Sequence, residues 1–191
     1  YTGSSVNHGF RGIAWKAEFQ PVRIQCIISR RSYDAGVDSD GRITALVESG
    51  YHRNPLEKSK KNNVTENLAG MMAEWDHGNL RLSGGFYAAQ YDPSFAGEEN
   101  ARPDARMTGG RNRVGALSLS WNHQTEWGLF SEWGMVKTGS IGMVSGLWIR
   151  FLEYRAALMA RYYGADYRNL HAGAYSYRDR NQNEKGIIWA V

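Results

Sequence analysis

Cysteine, proline and long apolar runs are scarce or missing in this sequence of 191 residues. Its single cysteine, Cys26, excludes a disulfide framework and a cysteine metal cluster, and we expect it to act as a small apolar side chain. No uninterrupted apolar stretch reaches the ~18 residues of a transmembrane helix, so such a helix is excluded. A membrane location stays open, because a transmembrane β-strand needs only about 9 to 11 residues.

The charge balance gives little reason to expect a nucleic-acid partner. The formal net charge is +4 and is spread along the chain, whereas nucleic-acid binding calls for a basic patch. By contrast, 22 glycines, 7 tryptophans and 11 tyrosines are typical of an all-β protein rich in interfacial aromatic residues. The four prolines all lie in predicted turns or loops, as strand ladders require. They are Pro21, Pro55, Pro93 and Pro103.

An alternation of period two identifies the strands. In residues 141–151, Ile141 and Leu147 fall on one face, and Gly142 and Arg150 fall on the other. Such a period indicates a pleated strand with two different environments. Because the second face carries lone charges and glycines, the pattern predicts lipid on one side and a wet lumen on the other.

The same alternation predicts about nine strands, and large aromatic residues flank their turns. The strands cover residues 11–19, 22–33, 69–75, 80–87, 115–121, 127–135, 141–151, 156–162 and 186–191. Polar segments 34–66, 92–111 and 165–185 join them, so that short turns and long loops alternate as in bacterial outer-membrane barrels. We predict one girdle at Phe19, Trp75, Trp121, Trp127, Phe151 and Tyr154, and a second at Tyr33, Tyr87, Tyr91, Trp133, Tyr162 and Tyr163.

These features predict an antiparallel transmembrane β-barrel with one short helix in an outer loop. Single-chain bacterial barrels have even strand numbers, and the chain begins at Tyr1 without an initiator Met. We therefore expect residues 1–191 to form a single β-barrel domain that is a portion of a longer chain and an incomplete part of a larger barrel.

Charges of both signs occupy the face assigned to the lumen. They are Lys16, Glu18, Arg23, Arg31, Glu74, Arg81, Glu132, Arg150 and Arg161. Burying so many charges in a dry core is costly even after pairing, which disfavours a soluble β-sandwich or jelly roll. If that face is the exposed one, a soluble carbohydrate-binding or adhesin-type module remains the alternative. Mixed signs favour a filled, salt-bridged interior over an open selective pore.

A helix-start pattern stands in the first long loop. Asn54 as N-cap, Pro55 at the first helical position and Glu57 three residues after the cap predict a short basic helix. The helix could plug or gate the lumen or present a binding surface, and the alternative is a structural loop whose charges pair with inward residues. The candidate lumen or loop-binding residues are Arg23, Arg31, His52, Arg53, Glu57, Lys60, Glu74, Arg81, Glu132, Arg150 and Arg161.

Several short segments resemble the barrel region of Bacteroidetes outer-membrane helix-hairpin-helix domain-containing proteins. The segments are Ser32-Tyr33-Asp34-Ala35, Glu48-Ser49-Gly50-Tyr51-His52-Arg53, Glu57, Lys60-Lys61-Asn62, Tyr162-Tyr163, Tyr167, Leu170-His171-Ala172 and Asn183-Glu184-Lys185-Gly186. This chain departs from the family pattern at Asn54, where the family usually has Thr, and in the shorter spacing of 32–35. The resemblance implies a β-barrel without an established activity. The helix-hairpin-helix segment has no counterpart in these residues, so no DNA-related role is carried over.

Five histidines raise the question of a hydrolase: His8, His52, His77, His123 and His171. His52 and His171 lie in or beside outer loops, where they could approach Asp34 or Asp166. Because no G-x-S-x-G motif accompanies them, we expect no catalytic residue and predict that the protein is not an enzyme, with an outer-membrane hydrolase as the less favoured alternative.

No metal or cofactor is expected either. Residues 38–41 resemble the opening of a calcium loop, but Gly50 stands near the position where the closing Glu should be, so we expect a hairpin turn there.

The sequence therefore favours an integral protein of the bacterial outer membrane. Its predicted role is passage or binding of a substrate, or docking within an envelope complex. Outer-membrane lipid is the expected partner, joined by other envelope proteins if the chain docks within a complex, and no nucleic-acid partner is indicated.

Overall fold

A computed structural model of the chain describes residues 9–47, 51–96, 109–171 and 183–191. Within these ranges the chain forms ten strands and one short helix. In chain order they are β1 Gly12–Phe19, β2 Val22–Val37, β3 Ile43–Val47, α1 Pro55–Ser59, β4 Val64–His77, β5 Leu80–Phe95, β6 Gly109–His123, β7 Trp127–Val136, β8 Ile141–Phe151, β9 Tyr154–Tyr163 and β10 Glu184–Ala190. The described part of the chain contains no helix long and apolar enough to cross a membrane.

All ten strands belong to one sheet. The strand order is β1-β2-β3-β5-β6-β7-β8-β9-β10, and β4 pairs with β2 and β5. From β6 to β10 each strand is antiparallel to the next. The short strand β3 is antiparallel to β2 and makes a parallel contact with β5 between Ile43 and Phe95.

The strands present two chemically different faces, which we call outer and inner. The outer face carries apolar side chains that are largely exposed, including Ile13 (78%), Ile28 (69%), Ile187 (75%) and Trp189 (75%). In a soluble sandwich an apolar face of this kind would pack against a second sheet. Here it stays exposed in each of the two units described below, so the alternation leaves apolar surface of the type that faces lipid.

Pairs across neighbouring strands reinforce this outer face. Leu117 lies opposite Trp133, and Leu147 lies opposite both Leu129 and Leu158. Such apolar pairs contribute ~0.2–1 kcal/mol each relative to alanine pairs.

The chain divides into two compact units. Of the described residues, unit 1 contains 9–14, 27–47, 51–69, 88–96 and 109–112, and unit 2 contains 15–26, 70–87, 113–171 and 183–191. The buried apolar residues of unit 1 are Ala35, Ile43, Val64, Leu68, Ala89, Tyr91, Phe95 and Ala96. Those of unit 2 are Val114, Val136, Tyr163 and Tyr167, with Tyr87 and Val144 packed against them.

The structure corrects the predicted number of strands and several strand bounds. Strand β2 continues to Val37, β4 begins at Val64 rather than at Ala69, and β6 begins at Gly109 rather than at Gly115. The predicted polar segment 34–66 contains the additional strand β3, so ten strands stand where about nine were expected. Strand β5 continues to Phe95, and β10 begins at Glu184 rather than at Gly186. The pattern missed β3 because its residues Ile-Thr-Ala-Leu-Val do not alternate strictly between apolar and polar.

The predicted second aromatic girdle is also wrong in part. Tyr91 and Tyr163 are 3% and 4% exposed, and Tyr33 and Tyr87 are half-buried with their hydroxyls bonded to other side chains. These four tyrosines lie on the inner face, since they share the alternation phase of the charged residues. Around the short turns, by contrast, Phe19, Phe151 and Tyr154 are exposed on the strand ends as the first girdle requires.

Candidate functional site

The inner face of unit 2 holds a chain of ion pairs. Arg23 on β2 binds Glu18 on β1 at 3.0 Å (Nε to Oε1) and also binds Glu74 on β4. Lys16 Nζ approaches the same Glu18 oxygen to 2.6 Å. The two predicted residues Arg23 and Glu74 are therefore brought together, and their charges link three neighbouring strands rather than line an open passage.

Two further predicted arginines are paired in unit 2. Arg81 donates to Asp76 at 2.8 Å across the β4–β5 turn, and Arg161 binds Glu184 on β10. A Cβ placed on Gly186 would lie 3.0 Å from Arg161 Nε, so the missing side chain leaves room for the guanidinium. Asn183 has φ 49, a left-handed conformation that Asn adopts more readily than most residues. Lys185 Nζ lies 5.3 Å from the Tyr162 ring centroid, so each residue of the Asn183-Glu184-Lys185-Gly186 segment has a structural role.

Unit 1 contains a buried carboxylate that the sequence reasoning missed. Glu66 on β4 has no exposed surface, and it accepts hydrogen bonds from Tyr33 Oη at 3.2 Å and Tyr91 Oη at 2.6 Å. Arg31, one of the predicted residues, lies with its guanidinium carbon 3.8 Å above the Tyr33 ring and donates to Gly9 O. The signal that could have found Glu66 is the alternation of β4, which puts it between Val64 and Leu68 on one buried face.

The predicted helix start in the first long loop is confirmed. Asn54 Oδ1 accepts from Glu57 N at 2.8 Å, and Glu57 Oε2 accepts from Arg53 N at 2.7 Å. The pair is similar to a capping box, with the return bond donated by the residue before the N-cap. The Arg53 guanidinium also binds Glu57 and lies 4.2 Å from the Tyr51 ring centroid. The backbone N–H of Arg53, followed by its guanidinium, lowers the pKa of the Glu57 carboxyl below its usual range. Arg53 and Glu57 thus stabilise the helix start itself.

An Asp–His pair lies beside this helix in unit 1. His52 Nε2 is 2.6 Å from Asp34 Oδ2, and Asn62 N donates to the other oxygen of the same carboxylate at 2.8 Å. Asn63 binds both backbone groups of Ala35, and the carbonyl of Lys60 accepts from Ala35 N. Lys60 therefore enters the site through its backbone. These contacts hold the end of the loop that contains α1 against β2.

The turn between β2 and β3 is the hairpin expected at residues 38–41. Asp38 Oδ1 accepts from Asp40 N at 3.0 Å and Arg42 N at 2.8 Å, and Gly41 has φ 74. The Arg42 backbone N–H, more than its guanidinium, lowers the pKa of Asp38. In the described part of the chain no group of three or more His, Cys, Asp or Glu side chains is arranged to hold a metal ion.

A segment after β9, residues 164–171, lies against the inner face of unit 2. Its Tyr167 side chain occupies the space that side chains at two opposite glycines would fill. A Cβ on Gly134 would lie 2.3 Å from Tyr167 Oη, and a Cβ on Gly142 would lie 2.7 Å from Tyr167 Cζ. Tyr167 also stacks on Tyr163 with ring centroids 5.8 Å apart. Asn169 Oδ1 accepts from Tyr87 Oη at 2.7 Å, so the segment is held on β5 as well as on β7 and β8. We call residues 164–171 the inner segment.

A cavity of about 460 Å³ opens between the inner segment and the strands of unit 2. Glu132 lies at its wall with the aromatic rings of Phe130, Tyr163 and Tyr167. The remaining inner-face lining is small or weakly polar, namely Met72, Ser83, Gly85, Ala116, Ser118, Gly134, Gly142, Val144 and Asn169. The small side chains on neighbouring strands leave the volume open.

Other sequence-predicted residues stay apart from these sites. Arg150 lies on the inner face at the end of β8, opposite Arg155 on β9, and makes no ion pair with the residues that the structure describes. His77 and His123 stack on Trp75 and Trp121 beside the short turns, with centroids 5.5 and 5.8 Å apart. His171 contacts the Tyr87 ring. His8, residues 48–50 and Ala172 lie outside the described residues.

Comparison with solved structures places this architecture among known folds. The chain matches OmpT, an outer membrane protein of Vibrio cholerae, in its trimer form, with a TM-score of 0.50 and 13% identity over 93% of this chain. The fold is that of an outer-membrane β-barrel. A second OmpT structure matches with a TM-score of 0.45 and 12% identity over 78% of this chain. The chain spans about half the length of these structures, 53% and 43% respectively. No family model and no curated protein matches it.

The likeness bears on the sequence-based predictions in two ways. The predicted fold class is confirmed, and the predicted location, the bacterial outer membrane, is that of the proteins that share the fold. The prediction that the protein is not an enzyme is corrected. That prediction was inferred from the missing G-x-S-x-G motif. The fold shared with OmpT does not support the absence of an enzyme activity, and neither does the loop that pairs His52 with Asp34.

Proposed function

We propose that this protein binds its substrate in the lumen of an outer-membrane β-barrel, at a level narrowed by the inner segment, and lets it pass slowly. The observation that carries this proposal is the position of Tyr167 over Gly134 and Gly142. Two glycines facing each other on adjacent strands leave the inner face flat enough for an aromatic ring to lie on it.

The ion pairs of unit 2 support a filled passage. A pore that selects by charge presents one sign to its contents, whereas Lys16, Glu18, Arg23 and Glu74 neutralise one another on the inner face. Partly exposed pairs of this kind contribute little stability each. Their proposed role is to occupy the lumen and hold neighbouring strands in register.

The uptake of small sugars by proteoliposomes tests whether Tyr167 narrows the lumen. We expect Tyr167→Ala to raise the uptake of small sugars about tenfold over the wild-type protein. The variant lacks the ring that narrows the lumen at the inner segment. Gly142→Ala, whose Cβ would lie 2.7 Å from Tyr167 Cζ, should displace the ring and raise uptake less.

Two matched controls accompany these variants. Tyr162→Ala removes a tyrosine from the outer face of β9, and Gly115→Ala adds a methyl where nothing lies within 4 Å. Neither should change uptake. Equal uptake by the wild-type protein and Tyr167→Ala, with both inserted to the same extent, would contradict the proposal.

The resemblance to Bacteroidetes helix-hairpin-helix domain-containing proteins is carried forward as a second part of the proposal. The contacts of Asn183, Glu184 and Gly186 and of Asp34 and His52 give its short motifs a structural role in this chain. Membrane lipid, and in an envelope complex other outer-membrane proteins, are the partners we propose. The test is the full-length precursor sequence, which should encode a helix-hairpin-helix region; a precursor without one would contradict this assignment.

Hydrolysis is a second candidate function, and His52 and Asp34 favour it. A partly buried carboxylate that holds an imidazole in one orientation is the arrangement that prepares histidine as a general base, here for a water molecule. We expect peptide or ester cleavage by the purified protein to fall about a hundredfold in His52→Ala. The matched control is His77→Ala, which should retain activity. Undiminished activity in His52→Ala would remove this candidate.

A further inference from the structure

We infer that the cavity beneath the inner segment binds a small organic cation, such as a quaternary or primary amine. This inference rests on the proposed binding function and names its substrate class. Its evidence is the chemistry of the cavity wall in unit 2, taken together with the pairing of the other acidic groups on the same face.

The negative charge of Glu132 is the first element. Among the described residues that line the cavity, Glu132 is the charged one, and no lysine or arginine joins it. Its carboxylate makes no ion pair or hydrogen bond with any residue that the structure describes, and its side chain is exposed. Other acidic groups on the inner face of unit 2 are neutralised by the chain itself, since Glu18 and Glu74 bind Arg23 and Glu184 binds Arg161. Glu132 is thus left for a cation from outside.

The aromatic rings around Glu132 are the second element. Phe130 precedes it by two residues on the same face of β7, and Tyr163 and Tyr167 also line the cavity. The faces of aromatic rings attract cations, most strongly where water is excluded, and groups of rings are the usual receptors for quaternary ammonium ions. A carboxylate beside three rings favours an organic cation over a metal ion, which requires several oxygen ligands.

The size of the cavity agrees with this class of ligand. A volume of about 460 Å³ lies within the range of small-molecule sites, which is ~300–1,000 Å³. Ser83 and Ser118, whose hydroxyls are 2.7 Å apart, and Asn169 add hydrogen-bonding groups for a polar substituent on the same ligand. The cavity therefore suits a small molecule with one cationic and one hydroxyl-bearing end.

Calorimetric titration of the detergent-purified protein tests the inference with two matched probes. Choline carries a quaternary nitrogen, and 3,3-dimethyl-1-butanol replaces that nitrogen with carbon at nearly the same shape. We expect saturable choline binding, with the neutral probe at least about tenfold weaker, because it lacks both the charge interaction and the cation–π attraction. Equal affinity for the two probes, or no choline binding, would overturn the inference.

Two variants locate the site. Glu132→Gln keeps the shape of the side chain and should weaken choline binding about tenfold or more. Glu153→Gln removes an acidic group from the β8–β9 turn and should bind choline as the wild-type protein does. Heat-modifiable gel migration verifies that each variant is folded. If Glu132→Gln binds choline like the wild-type protein, the inference fails. The proposed function itself is judged separately, by sugar uptake in the Tyr167→Ala variant.

Discussion

Tyr91 donates a 2.6 Å hydrogen bond to Glu66, a carboxylate that no water reaches in the described structure. Tyr33 donates to the other oxygen of the same carboxylate, and Arg31 lies over the Tyr33 ring. A buried carboxylate is costly unless it is hydrogen-bonded, so these donors determine whether unit 1 tolerates Glu66. The cluster joins β2, β4 and β5 through side chains on one face.

Tyr91→Phe should destabilise unit 1. The substitution removes the hydroxyl and leaves one lone pair of a buried carboxylate less well satisfied, at a cost of ~1–3 kcal/mol. Urea unfolding of the protein in detergent micelles measures this loss. Tyr154→Phe removes an exposed hydroxyl at a turn and is the matched control, with an expected change under ~0.5 kcal/mol. Equal midpoints for the two variants would show that Glu66 does not depend on Tyr91.

Gly186→Ala should destabilise the pairing of β9 with β10. Its Cβ would meet Arg161 Nε at 3.0 Å and push the guanidinium away from Glu184, for which we expect a loss of ~1–3 kcal/mol. The temperature of the gel-mobility transition should fall accordingly. Gly115→Ala adds the same methyl to open space and should leave this temperature unchanged. A similar fall in both variants would point to glycine's backbone and not to Arg161.

The titration of Glu57 gives a prediction on pH. Hydrogen bonds from Arg53 lower the pKa of Glu57 in the folded loop, so its ionised form is favoured by folding. The stabilisation of the helix start is therefore present above the pKa of the unfolded chain and is lost as the pH falls through the folded pKa. Carboxyl resonances followed by NMR should place the Glu57 midpoint below its ordinary value.

Arg53→Ala supplies the comparison for this titration. The variant keeps the backbone N–H of residue 53 but loses the guanidinium, so the Glu57 midpoint should rise part of the way towards its ordinary value. An unchanged midpoint would show that the backbone hydrogen bond alone lowers the pKa.

The strands from β5 to β9 could be predicted because the side chains of each strand alternate between those suited to lipid and those suited to the inner face. Leu147 and Ile149 alternate with Gly146 and Trp148, and a period of two requires no knowledge of distant residues. The helix start at Asn54 was predictable for the same reason, since the N-cap, the proline after it and Glu57 lie within four residues.

The candidate sites were less predictable because they depend on residues far apart in the chain. Glu66 meets Tyr33 from 33 residues away, and Tyr87 meets Asn169 from 82 residues away. Tyrosine suits both a lipid interface and a buried hydrogen bond, so the pattern alone assigned Tyr91 to a girdle. The role of Gly134 and Gly142 as the surface beneath Tyr167 likewise appears only once β7 and β8 are paired.

Site-directed spin labelling along β8 tests the central claim, that the strands face lipid on one side and the lumen on the other. Nitroxides would be attached singly at Met143, Val144, Leu147 and Trp148, with Cys26 replaced by Ser, and the protein reconstituted into bilayers. We predict that labels at Met143 and Leu147 are accessible to oxygen dissolved in lipid and shielded from a water-soluble nickel chelate, and that labels at Val144 and Trp148 lack this preference. Equal accessibility at all four positions, or chelate access at Met143 and Leu147, would contradict the account.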